Sequence, residues 1–336
     1  MSTRTWIYRT RLALDDLALV ERPVPVLGAH DVLLRLEAAS LNYRDLAIAR
    51  AAYPGVAAPL VPGSDAAGEV IAVGAAVTRV RVGERACAAY VPDWIEGPPR
   101  AETSARRLGG PVDGVLAELL RVDERALVRA PRTLSPIEAA TLPVAGVAAW
   151  QALVVDGGLA AGQTVAVSGA GGAGLLAVQI ARALGAEVIV VGRDAGRLAR
   201  VAALGARTVD ASRTPAWDEE VRAMTDGRGV DLFVDGVGGD WLGRAIGATR
   251  VGGAVSLFGF AAGARATIDL VAAIRRSITL RATSGGSRAS LEALVRFVDE
   301  RALRPIIDRR FPFTAVPAAL AWLADRRPFG KVVVTP

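Results

Sequence analysis

The apolar positions of this chain fall into short runs separated by glycine and proline, and the clearest succession lies between Thr164 and Val191. An apolar run from Thr164 to Ser168 reads as a strand. Gly169, Gly171 and Gly174 follow in G-x-G-x-x-G spacing, and an apolar helical stretch from Leu175 to Leu184 is ended by Gly185. A second run, Val188 to Val191, reads as the next strand. Strand, glycine turn, helix and strand in this order predict the first unit of a dinucleotide-binding sheet. Gly169 permits the sharp turn, Gly171 lets a pyrophosphate approach the backbone, and Gly174 lets the helix pack close to the sheet. Ser168, with Gly172 and Ala173 at the helix start, belongs to the same expected phosphate cradle, where unpaired amides face the ligand.

The alternation continues downstream. Helices are expected over Ala195–Leu204, Trp217–Met224 and Trp241–Ala248, and strands over Arg207–Asp210, Val230–Val234 and Ala254–Phe258. Single helices between short strands predict an α/β, doubly wound parallel sheet, with its ligand beyond the carboxyl ends of the strands. The first third reads differently. Val32–Leu36, Glu69–Val73, Ala86–Val91 and Val115–Val122 are glycine-bounded strands of a partly closed antiparallel barrel. Asn42 and Asp45 are placed to cap a short helix running to Ala51, and residues 92–114 form a long loop fit to border a pocket. Ser135-Pro136-Ile137-Glu138 is a capping box, followed by a second helix over 142–154. In the tail, Ile278–Ala282, Arg309–Phe313 and Lys331–Val334 read as extended, and Ala289–Glu300 and Val316–Ala324 as helices. These pieces cannot all prolong the parallel sheet, so the tail is expected to return to the first domain and make it discontinuous.

Composition narrows the classes. With 336 residues there is room for two cores, and no apolar run reaches membrane-spanning length. The start of the chain lacks a secretory apolar segment. Cys87 is the only cysteine, which excludes an internal disulfide and fits a reducing, cytoplasmic setting. The formal charge is +6, but the arginines are scattered among acids and form no basic tail or aromatic-basic stripe, so nucleic acid is not an expected partner. His30, the only histidine, sits in a turn with no second metal ligand near it in sequence.

The order of elements, together with NYRD…YP at 42–54, PGSDAAGEV at 62–70, VGERA at 82–86, AATLPVAGVAAW at 139–150 and FGKVVV at 329–334, resembles the medium-chain dehydrogenase/reductase superfamily. Within it the chain is similar to the zinc-independent quinone oxidoreductase branch and its alcohol-dehydrogenase-like neighbours. The resemblance implies a Rossmann domain over 131–270, and a mostly β, GroES-like catalytic domain built from 1–130 and completed by 271–336. At the positions where zinc-dependent members carry cysteine, histidine and cysteine, this chain has Asn42, Ser64 and Ala145, with Asp65 alongside. The resemblance therefore implies chemistry without zinc, and reduction of an acceptor that is already electrophilic, a quinone or a conjugated enone.

The cofactor expected is NADPH rather than NADH. The second strand ends at Gly192, where an NAD site would place an acid, and Arg193 and Arg197 follow to meet a 2′-phosphate. Asp194 dissents, unless it caps the next helix. The nicotinamide is expected near Val144, Gly238, Phe258 and the Gly286-Ser287 turn, and Arg44 at the phosphate end of the cofactor. Asn42 or Tyr53 would donate a hydrogen bond to the substrate oxygen, and Tyr53 could supply the proton. Tyr43, Asp65, Trp94 and Phe260 would line the substrate pocket. A zinc-independent alcohol dehydrogenase, an enoyl or enal reductase, and a catalytically silent NADPH-binding structural or sensing protein remain open alternatives. A homodimer joined through the nucleotide-binding domains is also implied by the family.

Overall fold

Short β-branched and aliphatic runs become strands here, and the central strands of the parallel sheet are covered on both faces. The computed structural model describes residues 2–325 and 328–336. The first seven strands are β1 (Ser2–Tyr8), β2 (Leu17–Pro23), β3 (Asp31–Leu41), β4 (Asp65–Val73), β5 (Arg85–Ala88), β6 (Leu119–Asp123) and β7 (Leu127–Arg129). β1 and β2 form an antiparallel pair. The next six are β8 (Thr164–Ser168), β9 (Glu187–Gly192), β10 (Arg207–Asp210), β11 (Val230–Asp235), β12 (Thr249–Leu257) and β13 (Thr279–Ala282). They form one sheet in the order β10-β9-β8-β11-β12-β13, every neighbouring pair parallel. The sheet is wound outward in both directions from β8, which is buried along its whole length. Two last strands, β14 (Ile307–Pro312) and β15 (Lys331–Thr335), complete a seven-stranded sheet with path order β14-β15-β3-β4-β5-β7 and β6 on β3.

The pairing around β3 places the catalytic candidates. β4 runs antiparallel to β3 with Ser40 opposite Asp65, and β15 runs antiparallel on its other side with Val332 opposite Leu41. The ends of three strands distant in sequence therefore meet where β3 passes into the helix Tyr43–Ala49. Beneath them Tyr8, Leu34, Leu41, Ile48, Leu60 and Phe313 form part of one fully buried core.

The chain divides into two compact units, residues up to Val147 with Gly286–Pro336, and Ala148–Gly285. These divisions differ from the expected ones at 130/131 and 270/271. The reason for the second difference is β13, which pairs parallel with β12 and so prolongs the Rossmann sheet. The helix Leu270–Arg275, capped by Asp269 accepting from the Ala272 amide at 3.1 Å, makes the crossover and was not expected. The expected strands Ala86–Val91 and Val115–Val122 are shorter or shifted, at Arg85–Ala88 and Leu119–Asp123. The expected helix over 142–154 contains two wide turns, Leu142–Gly146 and Gln151–Val155, flanking Val147–Trp150. Pro143 lies in the first of them, and it can supply no amide to a regular helical ladder. No helix among the described residues is long and apolar enough to cross a membrane.

Candidate active site

The glycine turn joins β8 to the helix Gly172–Ala183. Gly169 has φ of +80°, a left-handed conformation that a side chain would strain. A Cβ on Gly174 would stand 2.2 Å from the Gly169 carbonyl oxygen, so the close packing of helix on turn requires glycine there. A Cβ on Gly171 would meet nothing within 4 Å, which leaves the backbone open to a ligand on that side. The Ser168 hydroxyl donates to Asp235 Oδ1 at 2.7 Å and accepts from the Gly236 amide at 2.9 Å. Ser168 is buried, so its side chain braces the turn against β11 rather than facing outward. Asp235 Oδ1 also accepts from the amides of Val237 at 2.8 Å and Gly238 at 3.1 Å, and the Phe258 amide donates to the Asp235 carbonyl at 3.0 Å. The carboxyl ends of β8, β11 and β12 are thereby tied together. The open turn and the start of the helix suit the pyrophosphate of a dinucleotide.

At the end of β9, Gly192 is buried, and a Cβ there would come within 3.1 Å of Leu198. Arg193 is exposed, with its guanidinium 5.2 Å from the centre of the Trp241 ring. Asp194 proves to be the N-cap of the helix Ala195–Ala202, accepting from the Arg197 amide at 2.9 Å. Its carboxylate also pairs with Arg197 Nε at 3.6 Å. The dissenting acid is therefore accounted for by helix capping. Arg197 is held by it, and Arg193 stands forward. Phe260, in the same unit, is exposed.

The other unit gathers the remaining candidates. Asn42 caps the helix Tyr43–Ala49, its amide N–H donating to Asp45 Oδ2 at 2.7 Å. Asn42 Nδ2 donates to Asp65 Oδ2 at 2.8 Å, and Asn42 Oδ1 accepts from Lys331 Nζ at 2.5 Å. The same ammonium donates to the Leu41 carbonyl at 3.1 Å and to Asp65 Oδ2 at 3.4 Å. Asp65 Oδ1 accepts from the Val144 amide at 2.6 Å. Asp65 is wholly buried and Lys331 is 3% exposed, whereas Asn42 is half-buried. Burial pushes the Asp65 carboxyl up to about 6 against the pull of Lys331, and pushes the Lys331 ammonium below its usual range against the pull of Asp65. Sequence reasoning did not single out Lys331. The available signal was that it is the one lysine in a chain whose other 39 basic residues are arginine.

Arg44 departs from its expected place at the cofactor. It is buried, Nη1 donating to the Leu108 carbonyl at 2.9 Å and to Ser64 Oγ, and Nη2 to the Gly110 carbonyl at 3.0 Å. Its guanidinium lies 5.2 Å from the Tyr53 ring centre and 4.8 Å from that of Tyr90. Backbone carbonyls of the 92–114 loop capture it, and it anchors that loop beside Ser64. Tyr53 is half-buried against the core and Tyr43 is exposed. Trp94 packs with Tyr90, Val91 and Val144, and its indole N–H is bound to the Gly97 carbonyl at 2.9 Å. Ser287 is the buried N-cap of the helix Arg288–Arg301, accepting from the Ser290 amide at 3.0 Å, and Gly286 beside it is also buried. Asn42, Asp65 and Val144 are thus joined by hydrogen bonds, with Trp94 packed on Val144. Tyr53 lies against Arg44, which binds Ser64, the residue before Asp65 in the chain.

This donor set does not fit zinc. An amide, a hydroxyl and a methyl stand at Asn42, Ser64 and Ala145, with no thiolate or imidazole among them. A divalent ion beside Asn42 and Asp65 would also face the Lys331 ammonium. Among the described residues no group of three or more histidine, cysteine or acidic side chains could hold a metal.

Comparison with known proteins agrees with the fold and the order of its parts. The zinc-binding dehydrogenase family profile matches residues 172–300, and the alcohol dehydrogenase GroES-like domain profile matches residues 28–132. A zinc-type alcohol dehydrogenase-like protein of Schizosaccharomyces pombe is 32% identical, over 99% of this chain and 99% of its own length. The acryloyl-coenzyme A reductase of Metallosphaera sedula is 27% identical, over 94% of this chain and 95% of its own. A solved structure from Sinorhizobium meliloti 1021, described as a candidate alcohol dehydrogenase, superposes with a TM-score of 0.92 at 42% identity, covering 100% of both chains. On the two profiles, the full-length relatives and the shared architecture, the chain belongs to the medium-chain dehydrogenase/reductase superfamily of oxidoreductases.

Proposed function

We infer that this protein is an NADPH-dependent reductase that delivers hydride to a quinone or a conjugated enone without zinc. The observation that carries the reading is the Asn42–Asp65–Lys331 cluster, which sets an amide and a buried ammonium where the family resemblance would put a metal. Bound NADPH would supply the hydride. The chain's own work is to hold the dinucleotide and to stabilise charge on the substrate. The Gly169–Gly174 turn would receive the pyrophosphate, and Arg193 the 2′-phosphate. Asn42 would donate a hydrogen bond to the oxygen on which negative charge develops. Tyr53 is the second donor and the proposed proton source.

The deciding assay follows NADPH and NADH oxidation with a simple quinone, an ortho-quinone, an enone, an enal, an enoyl thioester and an alcohol, with zinc content measured on the same sample. Quinone or enone turnover with NADPH and no stoichiometric zinc supports the reading. Alcohol turnover that depends on zinc overturns it. NADPH binding with silence across the panel would favour the sensing alternative. An enoyl-thioester reductase is the second reading, supported by the likeness to the Metallosphaera enzyme.

Two residue-level outcomes follow. Arg193→Ala should raise the Michaelis constant for NADPH by about thirtyfold, the worth of one charge-assisted hydrogen bond of about 2 kcal/mol, and leave that for NADH almost unchanged. Tyr53→Phe should lower turnover by about tenfold while NADPH affinity, read by fluorescence titration, stays the same.

We further propose a homodimer formed through the edge of the nucleotide-binding sheet, in a cytoplasmic setting. The edge strand β13 and the helix before it expose Leu270, Val271, Ile274 and Leu280, the first three by more than half. A cluster of this kind favours burial against a partner. Ile274→Glu should convert a dimer to a monomer in light scattering without lowering the melting temperature of dilute protein.

A further inference from the structure

We propose that Lys331 is a positioning residue that fixes the rotation of the Asn42 side-chain amide, oxygen toward Lys331 and nitrogen toward Asp65, so that Asn42 can act only as a hydrogen-bond donor to the substrate. The proposal rests on the reading above, in which Asn42 meets the substrate oxygen.

The amide of an asparagine can be turned end for end at little cost in shape, and its neighbours decide which way it stands. Here two neighbours of opposite character make the same choice. The Lys331 ammonium has only donors, and it takes Asn42 Oδ1 at 2.5 Å. The Asp65 carboxylate has only acceptors when ionised, and it takes Asn42 Nδ2 at 2.8 Å. Turning the amide over would set Nδ2 against an ammonium and Oδ1 against a carboxylate, losing two charge-assisted bonds at once.

The remaining geometry leaves one donor to spare. One hydrogen of Nδ2 goes to Asp65. Among the described residues the other has only the Ser40 carbonyl, at a long 3.5 Å. Because that contact is long, this second N–H keeps hydrogen-bonding capacity for an incoming oxygen, and Asn42 is not fully buried. Lys331 cannot take that part itself. Its three N–H bonds are already directed at the Leu41 carbonyl, Asn42 Oδ1 and Asp65 Oδ2, and it is sealed from solvent. The charge acts through the amide rather than on the substrate.

The arrangement also depends on the fold. Lys331 is 289 residues from Asn42 in the chain and reaches it because β15 lies beside β3. The ammonium is delivered by the returning C-terminal strand to the end of the strand that carries Asn42.

The test is a cycle among Asn42→Ala, the double variant Asp65→Asn/Lys331→Met, and the triple variant. The double variant removes both buried charges together, so it leaves neither unpaired. The probes are 1,4-benzoquinone and 2-cyclohexen-1-one with NADPH. Asn42→Ala should lower kcat by at least about tenfold, as expected for losing one donor to a developing oxyanion. The double variant should lower kcat by several-fold with little change in the Michaelis constant for NADPH. It should add nothing once Asn42 is alanine. Full additivity, or an unchanged kcat in the double variant, overturns the proposal. An unchanged kcat in Asn42→Ala overturns the underlying assignment of Asn42 instead.

A second measurement does not depend on turnover. In nitrogen-15 spectra, the Asn42 side-chain NH2 pair, assigned by its loss in Asn42→Ala, should be sharp and slow to exchange in the wild type. It should broaden or shift strongly in the double variant, while the backbone spectrum stays native. An unmoved NH2 pair would show that Lys331 and Asp65 do not set the amide, and the proposal would fall.

Discussion

Replacing Gly174 with alanine is expected to weaken NADPH binding by at least about a hundredfold. The added Cβ would stand 2.2 Å from the Gly169 carbonyl oxygen, and the atom it meets is backbone, which cannot swing aside as a flexible side chain would. The helix Gly172–Ala183 must then lift from the turn, and the amides at its start lose their aim. A clash of this kind costs about 3 kcal/mol, which corresponds to about a hundredfold in affinity. Isothermal titration with NADPH measures it directly. Gly171→Ala is the matched control, because its Cβ meets nothing in the protein within 4 Å. If Gly171→Ala also binds poorly while Gly174→Ala binds normally, a ligand rather than the protein backbone sets the demand for glycine.

The second large effect concerns stability. Lys331→Met alone should destabilise the fold by about 3–5 kcal/mol, because it leaves the wholly buried Asp65 without its counter-charge. Adding Asp65→Asn should restore most of the loss, since two neutral groups of similar size need no ion-pair compensation. Denaturant unfolding of the single and double variants gives both numbers. The same pair predicts the slope of stability with pH. The Asp65 carboxyl is held up to about 6 in the native state, so between pH of about 4 and about 6 the folded protein keeps a proton that the unfolded chain has released. Stability therefore falls as pH rises through that window, and the double variant should flatten that part of the curve. Equal losses in the single and double variants would mean that packing, not charge, dominates the site.

The nucleotide-binding half was legible because its signals are local. Glycines at fixed offsets, apolar runs of strand length and helical periodicity each act within one unit of structure, and the helix Trp241–Ala248 and the strand Arg207–Asp210 fall where their patterns place them. The helix Leu270–Arg275 is short and its large apolar residues Leu270, Val271 and Ile274 are exposed, so it lacks the long inward stripe that marks a packed helix. The cluster around Asn42 was only half legible. Asn42 and Asp65 drew attention through the family resemblance. Lys331 did not, because FGKVVV at 329–334 entered the resemblance without a role for its lysine. It is brought there by strand pairing at long range, which a pattern of hydrophobic and polar positions does not encode. Arg44 shows the same limit. It was expected at the phosphate end of the cofactor, but carbonyls 64 and 66 residues further along take its guanidinium.

The burial of Lys331 has a consequence for how the molecule meets the outside world. A chain whose one lysine is 3% exposed presents no side-chain amine to solvent. Enzymes that modify lysine, and reagents that target its side-chain amine, therefore find none on the folded surface. Cleavage after basic residues falls on arginine alone while the fold holds. An amine-reactive dye that labels a side chain of this protein can do so at one place, and only after the strand carrying it has come away from the sheet. The rate of that labelling becomes a clock for the opening of the C-terminal strand.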